Sequence, residues 1–472
     1  MRLAPMSKTI ALTAGLGLAS GLSLSTSVSA GDLAFDGSKV RVNLSNKLNM
    51  LGQKVAAAAC NIDAGFAVED AKEELVAARR DFQTIMNGLE NGDVVLGIPS
   101  AERRAASLRS IANVKQAWAP IDAAVEDMLQ DQNIDAAAST IASANMPLLE
   151  ATGILASDIV GQYSNPHEMT QSDAMSLRFA GRQRMISYQI SKEVCGIATG
   201  TDAFGEAATL QEQVNMYGLS LDALTNGMAA AGINPPPNEL ITKELTKVSE
   251  EWRAEKASIE TVLSGGATGG DQVMAVRSLS TDLVKDMNNV VTLYMLSSQK
   301  TDDVYRVALN AYAENELSKW LTNETLIEAI KAQNVAHASL GQDDIDALDQ
   351  TWRAEAKADG GDLINDLIGR PASAWLRDNQ NATAGFVTEV FAMDNLGLNV
   401  AQSVVTSDYW QGDEAKWKQT YGNGSGQMHV SEVELDESTG AYQTQVSLPI
   451  HDPETDEMIG AITFGINIQS LL

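Results

Sequence analysis

The chain reads as mostly α with a C-terminal α+β domain, built as two tandem up-and-down four-helix bundles followed by an antiparallel sheet domain. Three observations carry that reading. Aromatics are only 5% of the 472 residues, while the helix-favouring Ala, Leu, Glu, Gln and Met abound. One segment occurs twice in the first three hundred residues. After Gly385 the apolar pattern changes from helical spacing to strand-like alternation.

The repeat sets the architecture. "VNLSNKLNMLGQKVAAAAC" (Val42 to Cys60) aligns with "LRFAGRQRMISYQISKEVC" (Leu177 to Cys195), placing Met50 on Met185, Gln53 on Tyr188 and Cys60 on Cys195, an offset of 135. "VKQAW", ending at Trp118, answers "VSEEW", ending at Trp252, at offset 134. "NGL" at Asn87 answers "NGM" at Asn226, at offset 139. The chain has two cysteines, and both fall on equivalent positions. Residues 37–165 and 168–300 are therefore two copies of one module. Apolar periodicity places helices near 38–63, 66–91, 101–130 and 135–162, then near 169–198, 204–231, 238–264 and 272–299. Four helices of this length on short loops make an up-and-down bundle.

Residues 1–30 have the pattern of a secretory signal: Arg2 and Lys8, an apolar run to Leu24, and "VSA" before Gly31. Cleavage after Ala30 predicts a soluble exported protein of the periplasm. Without Arg2 and Lys8, 33 less 2 leaves 31 basic against 62 acidic side chains. That field repels nucleic acid and anionic lipid, so an anion site has to be built from local basic groups. Oxidising conditions favour pairing of Cys60 with Cys195, which requires both to lie near a pseudo-twofold axis. The alternative is two small buried thiols in separate cores.

"AGRQRMIS" (Ala180 to Ser187) resembles the signature of the PilJ-type sensory domain of type IV pilus chemotaxis transducers. Nitrate/nitrite sensor kinases carry a similar Arg-Met box on the first helix. There, two boxes face each other across a dimer axis, and the arginine before Met binds one anion. The resemblance carries that role to Arg184, whose counterpart in the first copy is Asn49, while Arg182 aligns with Lys47. A symmetric arginine pair is thus missing. Arg182 and Arg184 stand about 200° apart on a helix, so only one of them faces a given site. The implied ligand is a small anion held by Arg182 or Arg184 with Lys47 and Asn49. The alternative leaves Arg178 and Arg182, one turn apart, solvated or ion-paired.

The region from about 314 to 472 opens with helices, the first a long amphipathic one through "AENELSKWLTNETLIEAIKAQNVAHASL". Strands follow in "FVTEVFAMD", "LNVAQS", "HVSEVELD", "AYQTQVSLPI" and "MIGAITFGINI", with a tight turn at "ESTG" and a short helix in "DEAKWKQTYG". Helices first and then an antiparallel sheet is an α+β order. "VFAMDNLGLNVAQSVVTSDYWQGDEAKW" and "VSLPIHDPETDEMIGAITFGI" resemble the Cache family of extracellular PAS-like sensors. That resemblance implies a ligand over the central sheet, under the loop and helix that follow the second strand. Ser407, Asp408, Tyr409 and Trp410 would line it, with Asp408 anchoring a cationic or zwitterionic ligand. The alternative has the two aromatics packing the helix onto the sheet and Asp408 capping it.

The four histidines are scattered, and no HExxH, phosphate loop or G-x-S-x-G elbow occurs. "DPETDE" lacks the spacing of a calcium loop. The expectation is a non-enzyme without cofactor or metal. It is an exported small-ligand sensing or binding protein without a signalling output of its own, which calls for a membrane-bound chemoreceptor, kinase or pilus partner. The rival is a structural or interaction protein of the cell envelope or type IV pilus system.

Overall fold

The computed structural model describes residues 37–163, 170–201, 203–265, 269–297, 302–383, 385–436 and 441–470. The secretory signal, the junction at 164–169 and the "ESTG" turn lie outside the described residues. The protein is mostly helical, and a six-stranded antiparallel sheet occupies its C-terminal part.

Two sets of four helices come first. They are α1 (Ser38–Asp63), α2 (Val68–Asn91), α3 (Ala105–Leu129) and α4 (Ile134–Tyr163), then α5 (Gln171–Thr199), α6 (Ala207–Asn226), α7 (Glu239–Leu263) and α8 (Gly270–Leu296). Each set closes into a ring in which the first helix packs on the second and fourth, and the third packs on the same two. Local chemistry sets several helix starts. Thr170 accepts from the Asp173 amide while the Asp173 carboxylate accepts from the Thr170 amide, a reciprocal cap for α5. Asn238 caps α7 through the Ile241 amide.

The duplication is visible in the packing. Phe82 stacks on Trp118 at 4.0 Å, and Tyr217 stacks on Trp252 at 4.1 Å, at equivalent places in the two rings. A small hairpin bridge follows the second helix in both, Asp93 with Ile98 and Met228 with Ile233. Gly92 and Gly227 enter it at φ 80° and 78°, a backbone only glycine adopts cheaply. This corrects one alignment made from sequence. "NGM" at Asn226 corresponds to "NGD" at Asn91, not to "NGL" at Asn87, because the helix-ending glycine has to match. It also explains why α6 stops at Asn226, short of the expected 231.

α1 and α5 form the seam between the two rings. Cys60 and Cys195 are joined by a disulfide, with Cα atoms 6.3 Å apart. Fourteen residues earlier a second equivalent pair meets, where a β-carbon on Gly181 would stand 3.0 Å from the Asn46 β-carbon. Like positions meeting two heptads apart define a parallel, in-register helix pair. Arg277 of α8 adds an ion pair to Glu74 of α2 at 3.0 Å.

The rings differ inside. Leu48, Gly52, Phe82 and Ile121 of the first copy are replaced by Gln183, Ser187, Tyr217 and Glu255. Glu255 is fully buried and accepts from the Ser280 hydroxyl at 2.7 Å. Burial pushes its carboxyl up to about 8.

In the C-terminal part, α9 (Asp302–Asn315), α10 (Glu324–Ala336), α11 (Gln342–Lys357), α12 (Asp362–Gly369) and α13 (Pro371–Ala382) precede the sheet. The single long helix expected across 313–340 is broken, because Asn323 turns its side chain onto the Leu326 amide and starts α10 afresh. The strands are β1 (Val387–Met393), β2 (Asn399–Gln402), β3 (His429–Val430), β4 (Glu434–Asp436), β5 (Ala441–His451) and β6 (Met458–Asn467). Their order is β2-β1-β6-β5-β3, with β4 also on β5, so the last strand is central. "HVSEVELD" is two short strands rather than one. Helices α10, α12 and α13 pack on the sheet. Trp417 and Tyr421, in the helical turn after β2, pack on Phe391, Met393 and Ala461.

Two expectations follow. Replacing Cys60 and Cys195 by serine should cost about 2–5 kcal/mol in denaturant melts, since the bridge closes a long loop. Unfolded, unreduced wild type should show no free thiol. The Glu255 carboxyl titrates higher folded than unfolded, so its stabilising share is complete below its ordinary 4.5 and is lost as pH rises towards about 8. Melting temperature should therefore fall more steeply from pH 5 to 8.5 in wild type than in Glu255→Gln; equal slopes would show an ordinary carboxyl.

A candidate anion site on the seam between the helical rings

Arg184 lies on the α5 face that meets α1, one turn after Gly181. Helical side chains lean towards their own N-terminus, so its guanidinium sweeps back along the seam. It donates to Asn43 Oδ1 of α1 at 2.8 Å and to Asn288 Oδ1 of α8 at 2.9 Å. The residue is only 2% exposed, and its Nε has no hydrogen-bond partner. Among the described residues no carboxylate pairs with it, and burial pushes its pKa down to about 10. A buried cation held only by neutral oxygens is a costly arrangement unless something else supplies negative charge.

That guanidinium borders a cavity of about 110 Å³, lined by Asn43, Lys47, Arg184, Asn288, Val291, Thr292, Asn467 and Gln469. Two cations and five amide or hydroxyl side chains face it, and no carboxylate among the described residues does. In a chain of net charge −29 that is a selected composition. Lys47 is half-buried. Burial, with Arg184 adding to it against the pull of Asp81, holds its ammonium below the ordinary range. Because Arg184 has only donors, the facing oxygen of Asn288 is fixed and its amide nitrogen is presented as a donor.

Of the residues expected from sequence, Arg184 and Lys47 meet at this cavity. Arg182 does not: it is exposed, and its guanidinium lies 3.9 Å from the Met216 sulfur on α6. Arg178 points to Ser157 of α4 at 3.5 Å. Asn49 is absent from the lining, and its buried Oδ1 is unpartnered. Asn43, Asn288, Thr292, Asn467 and Gln469 were not foreseen. Asn43 and Lys47 are one turn apart on α1, and Asn288 and Thr292 one turn apart on α8. The last two residues come from the far end of the chain and left no sequence signal.

Ser407, Asp408, Tyr409 and Trp410 form a loop that packs against α11. Tyr409 is buried and stacks on Trp352 at 5.4 Å, in a cluster with Ile345, Ile364, Leu367 and Leu398. Trp410 packs against that cluster and donates its indole N–H to the Leu396 carbonyl at 2.9 Å. Asp408 is taken by Arg353 at 3.2 Å, Gln411 at 2.8 Å and the exposed Ser407 at 3.0 Å. Arg353 also pairs with Asp349, so the two carboxylates share one guanidinium at this loop. A cavity of about 530 Å³ does lie between the helical turn after β2 and strands β3 to β5. Its charged lining is Glu414, Lys416, Glu432 and Glu434, beside His429, Gln443 and Gln445. Burial and nearby Arg306 hold the His429 imidazole below its usual range.

No helix among the described residues is long and apolar enough to cross a membrane. A search of curated proteins finds no match. The family model of PilJ, the type IV pili methyl-accepting chemotaxis transducer N-terminal domain, matches residues 36–144 and again 168–275. Both matches span the first three helices of a ring and end inside its fourth, so each ring is similar to a PilJ domain, and the two matches relate the helical part of the chain to the sensory regions of chemotaxis transducers.

Proposed function

We propose that this is an exported, periplasmic, non-catalytic sensing protein that binds one small anion on the seam between its two PilJ domains. The observation that carries the reading is Arg184, a buried guanidinium without a carboxylate partner among the described residues, beside Lys47 in a cavity lined by neutral polar groups. A carboxylate partner inside the cavity would have made the cluster structural. The family relation to chemotaxis transducers supports a sensory role. The C-terminal part is read as a Cache-like sensor on the strength of its single antiparallel sheet. Its acidic cavity beside β5 suits a cationic or zwitterionic ligand, because three glutamates outnumber Lys416 there. A membrane-bound chemoreceptor, kinase or pilus component would carry the signal onward.

Calorimetry and thermal shift with nitrate, sulfate and acetate test the anion site. An anion at 100 times its Kd should raise stability by about 2.7 kcal/mol. Arg184→Met keeps the bulk and removes the charge. In anion-free buffer it should melt near wild type, because an unpaired buried charge is removed along with its two hydrogen bonds. With anion present, the stabilisation should vanish. Affinity should also fall as pH rises through the depressed pKa of Lys47, where the ammonium loses its charge. A wild type that binds none of the three anions removes this reading.

A further inference from the structure

The anion cavity is not closed by the helical rings alone. Asn467 and Gln469 supply one wall, and they belong to the end of β6 and the 3-10 turn after it, Ile468–Ser470. That turn is firmly placed. Ile468 is fully buried, the Asn467 amide donates to the Phe386 carbonyl at 3.0 Å, and Asn467 Oδ1 accepts from the Gln469 amide at 2.9 Å. The Gln469 side-chain amide donates to Asn289 Oδ1 on α8. Asn289 adjoins Asn288, which accepts from Arg184. Three parts of the chain, far apart in sequence, therefore converge on one small polar space: α1, the α5–α8 pair and the chain's last strand.

We propose that Gln469 and Asn467 are anion-site residues lent by the sheet domain, so that filling the bundle cavity and docking the end of β6 onto α8 are one coupled equilibrium. The proposal rests on the anion reading above and adds its regulation. An anion that touches α1, α5 and the tail at once binds tightly only when the tail is seated, and by linkage it seats the tail. β6 is the central strand, paired along its length with β1 and β5. β5 also lines the acidic cavity through Gln443 and Gln445, whose partners on β6 are Asn467 and Gly465. One β-ladder thus joins the wall of the first cavity to the wall of the second, with Asn467 itself paired to Gln443. An event at the bundle is delivered to the sensor sheet without any long lever.

The test uses the full mature chain with nitrate, sulfate and acetate as probes. Two variants change the tail: Gln469→Ala removes the donor, and Gln469→Glu places a carboxylate in the cavity wall. Gln469→Ala should weaken anion binding roughly tenfold, the effect of one lost hydrogen bond to a charged group, and Gln469→Glu should abolish it. Hydrogen exchange of residues 458–470 should slow on adding the anion that binds, in wild type but not in Arg184→Met. Melting temperature in anion-free buffer confirms that each variant is folded, and Gln469→Ala alone suffices if the glutamate variant is not. Wild-type binding that is lost in Arg184→Met yet unchanged in the Gln469 variants, or exchange in β6 indifferent to the anion, overturns the coupling and leaves the anion site standing. Absence of binding in wild type removes both.

Discussion

Everything else in this molecule depends on how closely α1 and α5 approach. At Gly181 an added β-carbon would stand 3.0 Å from the Asn46 β-carbon, tighter than side chains ordinarily pack, and at Cys60 and Cys195 the two helices are covalently tied. These two points, two heptads apart, fix both the register and the parallel sense of the seam. Once they are fixed, position 184 has to lie on the seam, and its long side chain has only the space between α1 and α8 to enter. The charged cavity is therefore a product of backbone proximity first and of residue identity second.

The same constraint explains what was legible in the sequence. The repeat could be read because the seam needs matching residues on both helices, which kept Met50 and Met185, and Cys60 and Cys195, in step. Helix spans came out close for the same reason that bundles tolerate little: a long apolar stripe ended by a Gly turn leaves few choices. Arg184 and Lys47 were within reach because the family's arginine box has a fixed place on that helix. The wall formed by Asn467 and Gln469 was not, since no periodicity relates the last strand to the first helix.

The role of the C-terminal loop is ambiguous in sequence for a physical reason. Aromatic and acidic residues in one loop, such as Asp408, Tyr409 and Trp410, look the same in sequence whether they line a pocket or close one. Asp349 accepts both the Tyr409 and Trp410 amides, and Arg353, one turn further along α11, holds Asp408. Those two α11 residues turn the loop into a clasp. Nothing in the loop itself reveals that a helix sixty residues earlier will cover it. The open cavity instead formed where short, interrupted strands leave a gap beside β5, and such interruptions are hard to read from alternation alone.

Joining both halves in one polypeptide changes what the site can report. A cavity shared by two separate subunits fills only as fast as those subunits find each other, so its occupancy mixes ligand level with protein abundance. Here the halves are held together by the peptide chain and again by sulfur, and their effective concentration is fixed by covalent geometry. Dilution leaves that geometry unchanged. Fusion also releases the halves from having to be identical, so that Asn49 can occupy the position equivalent to Arg184 and one ring can keep a greasy interior while the other becomes polar. The outcome is one cavity per chain, built from two halves that have been free to specialise.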